Sequence, residues 1–128
     1  MKRSAWFDKV ADVADANGWS VYEPTDAEHL ELEFSAYTPA GQDYMFSVVL
    51  ERGKGAREFL EELDRHIDGF DVDYETYLWI GGDGHGRNGA PYHIKDIVAD
   101  MEAALQMVKD LRDALQQSLQ ADGTELVR

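Results

Sequence analysis

The sequence predicts an α+β fold: a three-stranded antiparallel sheet packed with an N-terminal helix, a middle helix and a long C-terminal helix, in the order α-β-β-β-α-α-α. Three observations carry that expectation. Residues His29 to Tyr37 (HLELEFSAY) alternate apolar and polar side chains without interruption, the signature of a half-buried antiparallel strand. Residues Ile94 to Gln120 repeat apolar side chains at helical spacing over a long stretch. No repeat, low-complexity tract or linker interrupts the 128 residues, so residues 1–128 are read as one domain.

Taken in order, Ser4 can cap a first helix whose apolar face is Trp6, Phe7, Val10 and Ala14, and Asn17-Gly18 stops it. Trp19 to Glu23 reads as a short strand. In the next strand Leu30, Leu32, Phe34 and Ala36 share one face, and Glu31, Glu33 and Ser35 share the other. Thr38-Pro39-Ala40-Gly41 is a turn, and Tyr44 to Glu51 is a third strand rich in β-formers. Arg52-Gly53-Lys54-Gly55 breaks it. Arg57 to Asp68 is then an amphipathic helix burying Phe59, Leu60, Leu63 and Ile67, closed by Gly69. Asp71 or Asp73 can cap a short helix through Trp79, with a strand as the alternative, before the loop GGDGHGRNG. In the long helix Ile94, Met101, Val108 and Leu115 recur every seven residues, Ile97, Ala104 and Leu111 fill a second seam, and Val98, Leu105 and Leu119 widen the stripe. A stripe so broad packs inside a domain, which favours a monomer, although the same spacing also supports a homodimer.

The order of the first five elements is that of a double-stranded-RNA-binding domain. Such domains grip phosphate with basic side chains, and the matching stretch here is acidic, so RNA binding does not follow. The absence of cysteine removes disulfides, thiol catalysis and zinc–thiolate sites and suits a reducing cytoplasm. Asp8, Lys9, Asp12 and Asp15 interrupt any signal-peptide core, and no apolar run approaches the roughly 20 residues of a membrane span. A soluble protein of the bacterial cytoplasm is expected.

Charge is the unusual quantity. The formal net charge is −14, about twice the upper end of the ~2–8 usual for a small soluble domain. Residues 10 to 51 hold nine acids and no Lys or Arg, and residues 58 to 83 hold nine more against Arg65 alone. Direct binding to nucleic acid or an anionic membrane is thereby disfavoured, and a basic partner is favoured. Strand spacing sets Glu31 and Glu33 about 7 Å apart on one face, close to the interval between successive phosphates of a nucleic-acid strand. Asp64 and Asp68 share a helix face, and Asp71, Asp73 and Glu75 carry the charge past its end. With so few Lys and Arg nearby, these acids do not read as a salt-bridge lattice. The bland alternative is a solvated coat that keeps the protein dispersed.

Other patterns carry less. Asp71, Asp73 and Glu75 are spaced like the first ligands of an EF-hand, but Thr76 stands where its glycine should be and Gly82 where its bidentate glutamate should be. The glycine-rich loop lacks the order of a phosphate-binding loop. Asp83, His85 and His93 are the one conceivable metal set, and no serine lies in a nucleophile motif. No catalytic residue, metal or cofactor is expected.

The segment YLWIGGDGHGRNGAPYHIKDIVADMEAAL, about a quarter of the chain, resembles a stretch of small proteins from phages and conjugative elements of gut bacteria. In size and acidity the whole chain resembles the DNA-mimic class of anti-CRISPR and anti-restriction proteins. That second resemblance implies a non-enzymatic inhibitor that blocks a CRISPR surveillance complex or a restriction enzyme where it would grip DNA. It locates no residue. The charge pattern nominates Glu31, Glu33, Asp64, Asp68, Asp71, Asp73 and Glu75 as the partner-binding set. The competing reading is an interaction module that acts through its long C-terminal helix.

Overall fold

A computed structural model of the chain describes residues 5–23, 29–51, 53–80 and 93–121. The expected cap Ser4, and the glycine-rich loop with Asp83 and His85, lie outside the described residues. The elements run α1 (Ala5–Ala16), β1 (Ser20–Tyr22), β2 (His29–Tyr37), β3 (Asp43–Glu51), α2 (Ala56–Asp68), α3 (Val72–Leu78) and α4 (Ile94–Ala121). This is the expected α+β order, with a three-stranded antiparallel sheet in the spatial order β1-β2-β3.

Helix α1 ends where Asn17-Gly18 requires it to. Gly18 adopts φ +86°, the left-handed region that a side chain would resist. The Trp19 amide then reaches back to the Ala14 carbonyl at 2.9 Å and the Gly18 amide to Asp15 at 3.2 Å, which closes the helix in a Schellman motif. The reversal buries Trp19 and aims its ring edge at Phe46, with centroids 5.4 Å apart. The short stretch after it forms a strand of three residues, narrower than the Trp19 to Glu23 expected from sequence.

Strands β2 and β3 pair along their full lengths, with Leu32 opposite Val48, Phe34 opposite Phe46 and Ala36 opposite Tyr44. All six of these side chains are buried. Phe34 and Phe46 stack at 5.0 Å, and Phe34 meets Phe59 of α2 at 6.1 Å, so the helices cover this inner face. Trp6 of α1 packs on the same Phe59 at 5.8 Å. Helix α2 begins at Ala56, where the Gly55 amide donates to the Glu58 carboxylate at 2.8 Å. It returns antiparallel along β3: Glu58 lies by Leu50 and Glu51, His66 stacks on Phe46 at 4.5 Å, and Phe70 beyond its end meets Tyr44 at 5.9 Å. Of its expected core residues, Phe59, Leu60 and Leu63 are buried, whereas Ile67 is half-buried at the edge of the core.

The short element after Gly69 is a helix. Asp71 caps it by accepting from the amides of Asp73 at 3.0 Å and Tyr74 at 3.3 Å. Helix α4, about 42 Å long at ~1.5 Å per residue, packs against α1, α2 and α3. Ile97, Met101, Ala104, Val108, Leu111, Leu115 and Leu119 all lie in the single core. Ile94, expected in that seam, is 47% exposed at the helix start, one turn before the packing begins.

One buried acid fastens the two layers. Asp100 of α4 is 5% exposed and accepts from the Thr38 hydroxyl at 2.6 Å and the Ala40 amide at 3.0 Å, holding the β2–β3 turn. The same Thr38 oxygen accepts from the Gln42 amide at 3.0 Å, so a single hydroxyl closes the turn and ties it to α4. Asp100→Ala removes the acceptor and strands two donors. We expect it to lower unfolding stability by about 2–3 kcal/mol, measured by urea denaturation. A loss below about 0.5 kcal/mol would show that the turn holds without α4.

Candidate functional site

The nominated acids divide between two places. Alternation along the strands faces Glu31 and Glu33 away from the helices. Their neighbours across the sheet follow from the register. Glu33 stands between Tyr22 of β1 on one side and Ser47 of β3 on the other, Val49 stands opposite Glu31, Met45 opposite Ser35, and Asp43 opposite Tyr37. Asp43, Met45, Ser47, Val49 and Glu51 are all exposed. The outer face of the sheet thus carries four carboxylates, from Glu31, Glu33, Asp43 and Glu51, and the three strands themselves contain no Lys or Arg. No ion pair among the described residues neutralises any of them.

The second place is the corner where α2 gives way to α3. Asp68 is exposed at the end of α2, and Asp71 and Asp73 are exposed at the start of α3. Glu75 is half-buried against Tyr44. Burial first, and the charge of Asp71 second, push its carboxyl above the ordinary value of 4.5. None of the four pairs with a cation among the described residues. Asp43, beside Tyr44 in sequence, stands at the end of β3 nearest this corner.

Two expectations need correcting. Asp64 is not free: Arg112 of α4 grips it bidentately, Nε to Oδ1 at 2.8 Å and Nη2 to Oδ2 at 3.1 Å, so it joins α2 to α4. The acids of the first turns of α2 do form a small lattice. Arg57 meets Glu58 at 3.0 Å and Glu61 at 3.1 Å, and Arg65 meets Glu62. The seven nominated acids therefore do not project from one side, because helix and sheet place them on different layers.

Between β3 and α2 runs an open groove of about 410 Å³, lined by Val49, Leu50, Glu51, Lys54, Glu58, Glu61, Glu62 and Arg65. Of its two bases Arg65 meets Glu62, and the open groove has no enclosed apolar floor of the kind that holds a small molecule. The aromatic cluster beneath the corner is core. Tyr44 is held protonated by burial and by the charge of Glu75, while burial lowers His66. A neutral imidazole can accept at Nε2, which fits the Tyr44 hydroxyl 2.9 Å away. Among the described residues no three metal-ligating side chains cluster. His93 is exposed at the residue before α4.

Sequence reasoning missed the apolar half of the outer face: Tyr22 (61% exposed), Tyr37 (73%), Met45 (52%) and Val49 (48%). The signal was present in β3, where Asp43, Met45, Ser47, Val49 and Glu51 alternate with buried residues. The hydrophobic stripe of α4 is buried in the core, so pairing through Met101, Val108 and Leu115 would require unpacking the domain. No helix among the described residues is long and apolar enough to cross a membrane. No protein-family model, curated protein or solved structure matches the chain.

The raised Glu75 carboxyl has a definite sign. Its proton is held more tightly in the folded chain, so the stability it confers is present below pH 4.5 and is lost as pH rises through the raised value. Glu75→Gln should therefore raise Tm by about 1–3 °C at pH 7.5 and by nothing near pH 4. A Tm gain equal at both pH values would assign the effect to something other than the charge.

Proposed function

We propose that the protein is a non-enzymatic inhibitor that offers carboxylates to the nucleic-acid-binding surface of a basic protein and blocks it. The observation that carries this reading is the outer face of the sheet, where Glu31, Glu33 and Asp43 stand on strands that carry no Lys or Arg and Glu51 ends the row at the groove that holds Lys54. The Asp68–Glu75 corner adds a second unpaired group. Structural acids acquire partners: Asp64 is clasped by Arg112, and Asp100 is buried on two donors. Acids left unpaired at this density repel one another, and a cationic partner relieves that repulsion on binding. A purely solubilising coat makes no demand on which acids are paired, so the bare sheet face favours binding.

A protein that grips DNA in a basic cleft is the matching target, and a CRISPR surveillance complex or a restriction enzyme in a bacterial cytoplasm is of that kind. Occupying such a cleft needs no bond-making and no cofactor. Long-range attraction would make association fast and salt-sensitive.

The test is a DNA-cleavage assay over a panel of restriction enzymes and CRISPR effectors. Stoichiometric inhibition is expected, weakening at least tenfold between about 50 and about 300 mM salt. The variant Glu31→Lys, Glu33→Lys, Asp68→Lys and Asp73→Lys, with its fold checked by circular dichroism, should lose inhibition at least tenfold. Inhibition that persists unchanged in this variant would reject the proposal.

A further inference from the structure

Two cross-strand pairs on the outer face repeat one arrangement. Tyr22 of β1 stands directly opposite Glu33 of β2, and Tyr37 of β2 directly opposite Asp43 of β3. Residues so placed have Cβ atoms about 4.5–5.5 Å apart. Both rings are exposed, at 61% and 73%, and neither hydroxyl bonds to a carboxylate among the described residues. Each pair sets an exposed aromatic ring beside a carboxylate with no ion-pair partner among the described residues, Glu33 half-buried and Asp43 exposed. A guanidinium group matches both at once, since it stacks flat on an aromatic ring and donates two parallel hydrogen bonds to a carboxylate. A lysine ammonium is a point charge that satisfies the carboxylate alone. Met45 and Val49, also exposed, supply apolar surface between and beside the pairs for the stems of long side chains.

We infer that the open face of the β1-β2-β3 sheet is the docking surface, and that its occupant is an arginine-bearing surface of a basic protein, with one arginine seated on Tyr22 and Glu33 and another on Tyr37 and Asp43. This deepens the proposed function and rests on it. Charge complementarity selects the occupant. A second copy of this chain would bring Glu31, Glu33, Asp43 and Glu51 against the same four acids, and nucleic acid would bring phosphate against them. A cationic partner meets opposite charge at every acid on the face.

The experiment is an NMR titration of the labelled protein with a synthetic peptide of repeated Arg-Gly-Ser units and with its Lys-Gly-Ser counterpart of equal charge. The arginine peptide should bind roughly tenfold more tightly, with amide shifts centred on Tyr22, Glu33, Tyr37 and Asp43. Tyr22→Ala with Tyr37→Ala, both at exposed positions, should reduce that preference to near parity, and Tyr22→Phe with Tyr37→Phe should keep it. Equal affinity for the two peptides, or shifts confined to Asp68–Glu75, would overturn the assignment to the sheet face while leaving the inhibitor reading standing. Binding of neither peptide would overturn both. Sedimentation that shows a dimer with these amides protected would replace the basic partner with a second copy.

Discussion

The stacked rings of Phe34 and Phe46, 5.0 Å apart across β2 and β3, occupy the middle of a nine-residue pairing and rest on Phe59 of the helical layer. Burying that pair fixes more than the core. The side-chain period of a strand is two, so a slip of one residue would turn Phe34 and Leu32 to water and drive Glu31, Glu33 and Ser35 into the helices. Register is therefore enforced by hydrophobic burial on one face, and the other face receives whatever residues remain. Its carboxylates and tyrosines face solvent because their strand neighbours cannot.

The distribution of cations completes this division. Three arginines of the helical layer are engaged with its own acids: Arg57 with Glu58 and Glu61, Arg65 with Glu62, and Arg112 with Asp64. These pairs are partly exposed and each contributes little to stability. Their larger effect is on the pattern of charge, because they quench acids of α2 and leave the sheet face and the Asp68–Glu75 corner unbalanced, as are Asp12 and Asp15 of α1 and Asp96 and Glu102 of α4. A net charge of −14 is thus uneven in its consequences, since part of it is neutralised locally within the helical layer and the sheet face is left without a cation of its own.

Within the core, polar groups serve the architecture. Asp100 holds the β2–β3 turn through Thr38 and Ala40, and this contact between residues about sixty positions apart links the sheet to α4 directly. Tyr44, His66 and Phe70 join the end of β3 to the end of α2, and Glu75, half-buried near enough to Tyr44 to act on its hydroxyl, has its own carboxyl pushed up by burial. The corner that carries exposed acids is thereby built on a packed aromatic base.

Local patterns determined most of the elements, while the stretch after Gly69 stayed open between a helix and a strand. The alternation of His29 to Tyr37, the Asn17-Gly18 stop and the apolar repeat of α4 are local patterns whose physical causes lie in backbone geometry, and the α+β order follows from them. Glu31 and Glu33 were legible as outward-facing for the same reason. Only the tertiary structure decided which acids stay free. Asp64 meets Arg112 across 48 positions and Asp100 meets Thr38 across 62, and no local spacing encodes either contact. The pairing of Tyr22 with Glu33 and Tyr37 with Asp43 likewise depends on strand register, which hydrophobic burial sets once the sheet has closed on the helices.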